Sequence, residues 1–200
     1  MALWQALSEE GWCELWYLDE SGFAPTLPTG YTWARVGSRA LVWDEPPQGR
    51  RLNVLGALTL GGASPRLVWT APPGRIDSAV LLEFLCRQGA GLPAPPAELP
   101  AGYRRAVPCI VALDNASAHV SKVVKAVIPA LEAAGVTLCY LPPYSPELNR
   151  IEGLWRHVKY EELPTRSYQT VDELRLAVET ALTNHDPHLL DDTTNFRRAA

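Results

Sequence analysis

The chain predicts a mixed α/β fold, with early strands antiparallel in a meander and later strands parallel and joined by helical crossovers. Two segments are nearly continuous in apolar character, from Trp12 to Leu18 (WCELWYL) and from Val107 to Leu113 (VPCIVAL), as expected of strands covered on both faces. Between them the residues after Leu52 alternate, with Val54, Gly56, Leu58 and Leu60 on one face and Asn53, Leu55, Ala57 and Thr59 on the other. From Asp77 onward, helical periods alternate with apolar strands, the order that builds parallel crossovers flanked by helices.

The first strand closes at Asp19-Glu20-Ser21-Gly22. Alternation puts Asp19 on the face of Cys13, Leu15 and Tyr17 and Glu20 on the opposite face, so only one of them can point into a given site. A Pro/Gly loop follows from Ser21 to Gly30, and the residues from Tyr31 to Val36 read as another strand. The strand from Leu52 turns at Gly61-Gly62 into one near Arg66 to Thr70, which completes three antiparallel strands in meander order. A helix fits Asp77 to Arg87, with Val80, Leu81, Phe84 and Leu85 at helical spacing.

Residues 89–105, GAGLPAPPAELPAGYRR, are too rich in proline for regular structure and read as a surface insertion. The strand that follows runs into Asp114-Asn115. Val120, Val123, Val124, Val127, Ile128 and Leu131 then define a helical face that Pro129 should kink or shorten. A third apolar strand covers Val136 to Leu141, and Thr170 with Glu173 forms a capping box for a last helix bearing Leu174, Val178, Ala181 and Leu182. Residues 1–184 are expected to form one domain and residues 185–200 a tail.

The central stretch is LCYLPPYSPELNRIEGLWRHVK, from Leu138 to Lys159. Ser145-Pro146 predicts an N-cap followed by proline at the first helical position, so a helix is expected from Pro146. Leu148, Ile151, Leu154, Trp155 and Val158 recur at spacings of three and four, and Glu152 falls inside that stripe. A carboxylate there points toward the core or a cleft beside it and needs a counter-charge. The plain alternative is an i,i+4 pair with Arg156.

With 200 residues, 47% of them hydrophobic, and seven Trp, the chain can bury a sizeable core. Its net charge of −4 excludes a stand-alone basic nucleic-acid binder, so any such contact must be local. Arg35, Arg39, Arg50 and Arg51 form one basic neighbourhood, and Arg150, Arg156, His157 and Lys159 another; ordinary solvated surface accounts for either equally well. The chain contains no apolar run of membrane-spanning length and does not start like an export signal, so a cytoplasmic location is expected. Cys13, Cys86, Cys109 and Cys139 lie far apart in apolar surroundings and read as small buried hydrophobes. His185 and His188 form an HxxH pair beside Asp186-Pro187 that reads as a polar turn rather than a zinc site.

Asp19 and Asp114 both end apolar strands, and the helix returning after the next strand can bring Glu152 beside them. Three converging carboxylates repel one another, which raises a pKa or demands a cation. A pair of Mg²⁺ or Mn²⁺ ions with hard oxygen ligands resolves that and suits displacement at a phosphodiester.

The segments YLDESGF, ALDNASAHVSK and LPPYSPELNRIEGLWRHVK resemble the three catalytic motifs of Asp-Asp-Glu transposases of the mariner superfamily, in its bacterial insertion-sequence 630 branch. The resemblance spans Leu15 to Lys159 and is most specific in the third motif. It implies a ribonuclease-H-like catalytic domain in which Asp19, Asp114 and Glu152 hold two Mg²⁺ or Mn²⁺ ions. Glu20 would be the neighbour of the first acid, although the sequence leaves an exchange of roles with Asp19 open. Asn115, His119 and Asn149 would support the site; a helix cap, a surface histidine and a turn contact are equally good accounts of them.

Arg150, Arg156 and Lys159 would contact DNA. Asp114 and Glu152 are separated by 37 residues, a few more than is usual for such proteins, and the excess is expected between the helix after Asp114 and the next strand. The implied reaction is cleavage at transposon ends and transfer of the 3′-OH into target DNA at a TA step, by two paired protomers. A helix-turn-helix module normally precedes the first acid, where this chain has about a strand's length, so the expectation is either that a separate polypeptide reads the ends or that this is an isolated catalytic domain or genomic remnant. A hydrolytic nuclease with the same triad, or an inactive remnant that binds DNA or a partner, are the alternatives.

Overall fold

A computed structural model of the chain describes residues 1–25, 34–38, 51–60, 65–163 and 168–185. Five strands form one sheet: β1 (Glu14–Phe23), β2 (Leu52–Thr59), β3 (Arg66–Thr70), β4 (Cys109–Leu113) and β5 (Val136–Tyr140), in the order β3-β2-β1-β4-β5. The β1–β2 and β2–β3 pairs are antiparallel, and the β1–β4 and β4–β5 pairs are parallel. This is the predicted meander followed by crossovers.

Five α-helices flank the sheet: α1 (Ala2–Glu9), α2 (Ser78–Phe84), α3 (Lys122–Ala133), α4 (Ile151–His157) and α5 (Val171–Asn184). The alternation of β1 divides the core in two. Cys13, Leu15 and Tyr17 face Ile151, Leu154, Trp155 and Val158 of the α4 region and Leu174, Val178 and Leu182 of α5. Trp16 and Leu18 face Leu81 and Phe84 of α2 and Val124 and Leu131 of α3. Asp19 therefore shares the α4 face and Glu20 the α3 face.

Local chemistry sets the ends of these helices. Asp77 caps α2 by accepting from the Ala79 and Val80 amides at 3.0 Å, and Ser121 caps α3 through the Val124 amide. Thr170 accepts from the Glu173 amide at 3.1 Å, while Glu173 reaches back to the Gln169 amide, one residue before the usual partner in a capping box. Gly135, at φ +84°, follows α3 in the left-handed conformation that lets the chain turn at once into β5.

Several expectations are corrected. Ala34–Val36 is not a strand but enters a turn in which Ser38 bonds back to Arg35, while residues 31–33 lie outside the described residues. The first strand does not stop at Leu18; pairing with β2 carries it on to Phe23, so Asp19 lies in mid-strand. α1 was not foreseen. Its signal was the apolar spacing of Met1, Trp4 and Leu7, which pack on the α4 side of the core.

α3 runs through Pro129 to Ala133 with Val123 exposed, so its buried stripe is narrower than the valine spacing suggested. The connection from α3 to β5 is only Ala134 and Gly135, so no extra length between Asp114 and Glu152 lies there. Within 89–105, Leu92, Leu99 and Tyr103 pack on the α3 side of the core, and Pro96–Glu98 forms a single 3₁₀ turn.

The helix expected from Pro146 is broken. Pro146–Leu148 makes one 3₁₀ turn, Asn149 is extended at φ −99° and ψ 96°, and α4 begins only at Ile151. Ser145 makes no capping hydrogen bond. α4 passes at Val158–Glu162 into a π-helical turn closed by the Leu163 amide on the Val158 carbonyl. No described helix is long and apolar enough to cross a membrane.

Candidate active site

β1 and β4 pair only from Glu14 with Cys109 to Tyr17 with Ala112. Beyond that point β1 continues beside β2 while β4 keeps only β5 as its partner and ends at Leu113, and a cleft of about 400 Å³ opens there. Asp19, Asp114, Asn115, Asn149 and Glu152 line it, with residues 141–146 as its rim. Asp19 comes from β1, Asp114 from the residue after β4, and Glu152 from the first turn of α4.

Burial, then the Glu152 charge, and more weakly the Asp114 charge raise the Asp19 carboxyl to about 7. Trp155 Nε1 donates to Asp19 Oδ2 at 3.2 Å. The indole reaches that position because Asp19 lies opposite Gly56 in the β1–β2 register: a Cβ on Gly56 would fall 2.6 Å from the Trp155 ring. Sequence reasoning read Trp155 as packing and Gly56 as one member of an alternating row. The signal for their role was a glycine in a row of large apolar residues opposite a candidate acid.

Asn149 is buried, and its Nδ2 donates to the Leu18 carbonyl at 3.2 Å, on the stretch of β1 that β4 no longer pairs. Its own carbonyl accepts from the Glu152 amide at 3.0 Å, so one residue ties the start of α4 to the strand beside Asp19. This is why the helix breaks at Asn149. Glu152 is exposed in the cleft, and among the described residues it forms no ion pair with Arg156.

Asp114 accepts from the Ala116 amide at 2.9 Å and lies 2.7 Å from His119 Nδ1. His119 is buried rather than on the surface, and its Nε2 lies 3.6 Å from Glu20 Oε1. That separation is too long for a hydrogen bond, and both atoms are buried without a hydrogen-bond partner among the described residues. Burial works against protonating His119, but the two flanking carboxylates outweigh it and raise its pKa. Asp19 and Glu20 are thus separated by the pleat, Asp19 with Glu152 in the cleft and Glu20 with His119 behind it. Asn115 does not cap a helix; its Nδ2 donates to the Leu141 carbonyl at 2.6 Å and joins the ends of β4 and β5.

The candidate DNA-contacting residues are dispersed. Lys159 lies 5.1 Å over the Phe23 ring, and burial first, then the Arg51 charge, lowers its pKa. Arg51 packs where a side chain on Gly22 would otherwise be. Arg156 is exposed on α4, whereas Arg150 lines a small pocket with Gln5, Glu9 and Tyr17, away from the cleft. Arg35 is exposed in its turn, and Arg39 and Arg50 lie outside the described residues. A further rim feature is Tyr144, a fully exposed aromatic held at φ 58°, uncommon for a residue with a side chain.

The family model of the DDE superfamily endonucleases matches residues 14–175. The chain belongs to this family. Among solved structures, this DDE endonuclease resembles the Mos1 strand transfer complex at 14% identity and TM-score 0.57, over 94% of this chain and 53% of that one. It also resembles the Mos1 mariner paired-end complex with Mn, at 15% identity and TM-score 0.55, over 88% of this chain and 50% of that one. These likenesses give the fold, a ribonuclease-H-like mixed sheet. The uncharacterized protein y4pE/y4sA of Sinorhizobium fredii is 34% identical over 65 residues, 32% of this chain and 44% of that protein. The chain thus spans about half the length of the structures it matches.

Proposed function

We propose that this DDE endonuclease is the catalytic domain of a metal-dependent DNA transposase of the insertion-sequence 630 type, with Asp19, Asp114 and Glu152 as its metal-holding triad. The reading rests above all on the convergence of Asp19, Asp114 and Glu152 on one cleft, where burial and the neighbouring charges raise the Asp19 carboxyl to about 7 and a divalent cation would offset the repulsion. The donors are all carboxylate oxygens, which fit hard Mg²⁺ or Mn²⁺. Two such ions would supply Lewis-acid activation of an attacking oxygen and neutralise the leaving one.

The chain's own groups do the rest. Trp155 orients Asp19, Asn149 fixes the start of α4 relative to β1, and His119 steadies Asp114 from behind. Lys159 and Arg51 provide a local positive potential beside the triad on an otherwise acidic chain, as binding to a phosphate backbone demands. Tyr144 offers an exposed ring on which an unpaired base can stack. Arg156 adds a phosphate contact along α4, whereas Arg150 lines the small pocket with Gln5, Glu9 and Tyr17.

In the proposed reaction water cleaves a phosphodiester at an element end, and the freed 3′-OH then attacks a target phosphodiester at a TA step. That attack forms one P–O bond and breaks another, with no covalent enzyme intermediate. Two protomers would pair the two ends, and a helix-turn-helix module, in this polypeptide or another, would read them. The domain assigned to this work is residues 1–184. Asp114→Asn should abolish cleavage of a terminal-repeat duplex in Mn²⁺ while circular dichroism stays unchanged; cleavage surviving in that variant sinks the assignment. A strand-transfer assay with a precleaved end separates a transposase, which joins strands, from a hydrolytic nuclease, which only releases nicked product.

A further inference from the structure

A second cluster of metal-ligand side chains lies outside the cleft. His157 ends α4, Glu162 ends the π-helical turn that follows it, and His185 lies just past α5. One donor atom from each falls within 4.8 Å of the others. Glu162 Oε1 lies 3.3 Å from His157 Nε2 and in direct contact with His185 Nδ1, and the two imidazole centroids are 5.7 Å apart. The His185 side chain is wholly buried, and the rest of the expected polar turn, residues 186–188, lies outside the described residues.

Helix geometry explains how the first two meet. In a continuous α-helix residues five apart point about 140° away from each other. The π-helical turn widens the winding and brings His157 and Glu162 onto one face, toward His185. Such turns recur where a functional group must be aimed.

We propose that His157, Glu162 and His185 form a binding site for a transition-metal ion of the zinc class, separate from the acidic triad. Two imidazole nitrogens and one carboxylate oxygen suit Zn²⁺ and do not suit Mg²⁺. Neighbouring ligands of a tetrahedral zinc are roughly 3.3 Å apart when metal–ligand bonds are about 2.0 Å. The Glu162–His157 separation is already of that size, and the other donor pairs lie within 4.8 Å, so binding needs only small side-chain adjustments, His185 and Glu162 drawing apart among them. Binding requires each imidazole nitrogen to present its lone pair to the ion, and water fills the fourth position, since His157 and Glu162 keep 29% and 19% of their side-chain surface exposed. The ion would pin the end of α5 to the end of α4, the helix that carries Glu152.

The test uses the full chain stripped of metal with a chelator and titrated with Zn²⁺ by calorimetry, and with Co²⁺ by visible absorption. We expect one equivalent of Zn²⁺, a tetrahedral Co²⁺ spectrum and a raised Tm, in the wild type and equally in Asp114→Asn. His157→Asn, at a half-exposed position, should weaken Zn²⁺ by about tenfold or more and abolish the Tm gain. Glu162→Gln, which keeps the side chain's shape, is the second variant should the first fail to fold. The proposal is overturned by Zn²⁺ binding that disappears in Asp114→Asn, that is unchanged in either cluster variant, or that is absent from the wild type.

Discussion

Asp19 carries an electrostatic cost that the metal-free protein cannot avoid. In the unfolded chain its carboxyl ionises at the ordinary value of 3.8, and in the folded protein at about 7. Between those values the unfolded state binds fewer protons, so stability falls as pH rises, and above 7 it stays at the lowered level. Asp19→Asn keeps the acceptor for Trp155 Nε1 and removes the charge. At pH 8 without metal it should therefore raise stability by on the order of 1–3 kcal/mol and flatten the fall between pH 4 and 7, while abolishing cleavage. Urea melts across that range check it; an unchanged pH slope would show that Asp19 is not the strained group. That Asp19, Asp114 and Glu152 meet in one cleft was legible in the sequence because each ends or interrupts an apolar pattern. What could not be read was the desolvation of Asp19, because its surroundings include Trp155 and Gly56, 136 and 37 residues away from it in the chain.

At the scale of elements, the start of α4 is set by contacts rather than by propensity. The sequence carries a sound local signal for a helix at Pro146, yet Asn149 breaks it because its side chain completes the unpaired Leu18 carbonyl. Local rules locate β2, β3, β4, β5 and α5 well, since those rest on alternation, apolar runs and a capping box. They misjudge the end of β1, because only a partner strand decides where pairing stops. The β2–α4 contact gives two variants with opposite signatures. Gly56→Ala forces the indole aside and should cost about 1–3 kcal/mol by overpacking, with loss of cleavage. Trp155→Phe relieves nothing sterically but deletes the bond to Asp19, so Mn²⁺ affinity should fall by roughly tenfold, the worth of one hydrogen bond to a charged group. Calorimetric titration of both separates packing from positioning, and wild-type affinity in Trp155→Phe would show that the indole only packs.

Across the described residues, one sheet separates two apolar layers, and the proposed triad draws on both. Glu152 arrives with α4 on one face, while Asp114 is steadied by His119, which is buried on the other. A site assembled across the sheet works only if both layers fold together. Leu131 lies in the layer of α2 and α3, Leu174 in the layer of α4 and α5, and each is at most 1% exposed. Leu131→Ala and Leu174→Ala should each cost about 2–5 kcal/mol. If residues 1–184 are one cooperative unit, either variant lowers a single transition reported equally by tryptophan fluorescence and far-ultraviolet circular dichroism. Two separated transitions in either variant would mean that one layer can stand while the other melts. The cleft would then be a junction between independently stable halves, opened by the loss of either, and metal bound across it would raise only the later transition.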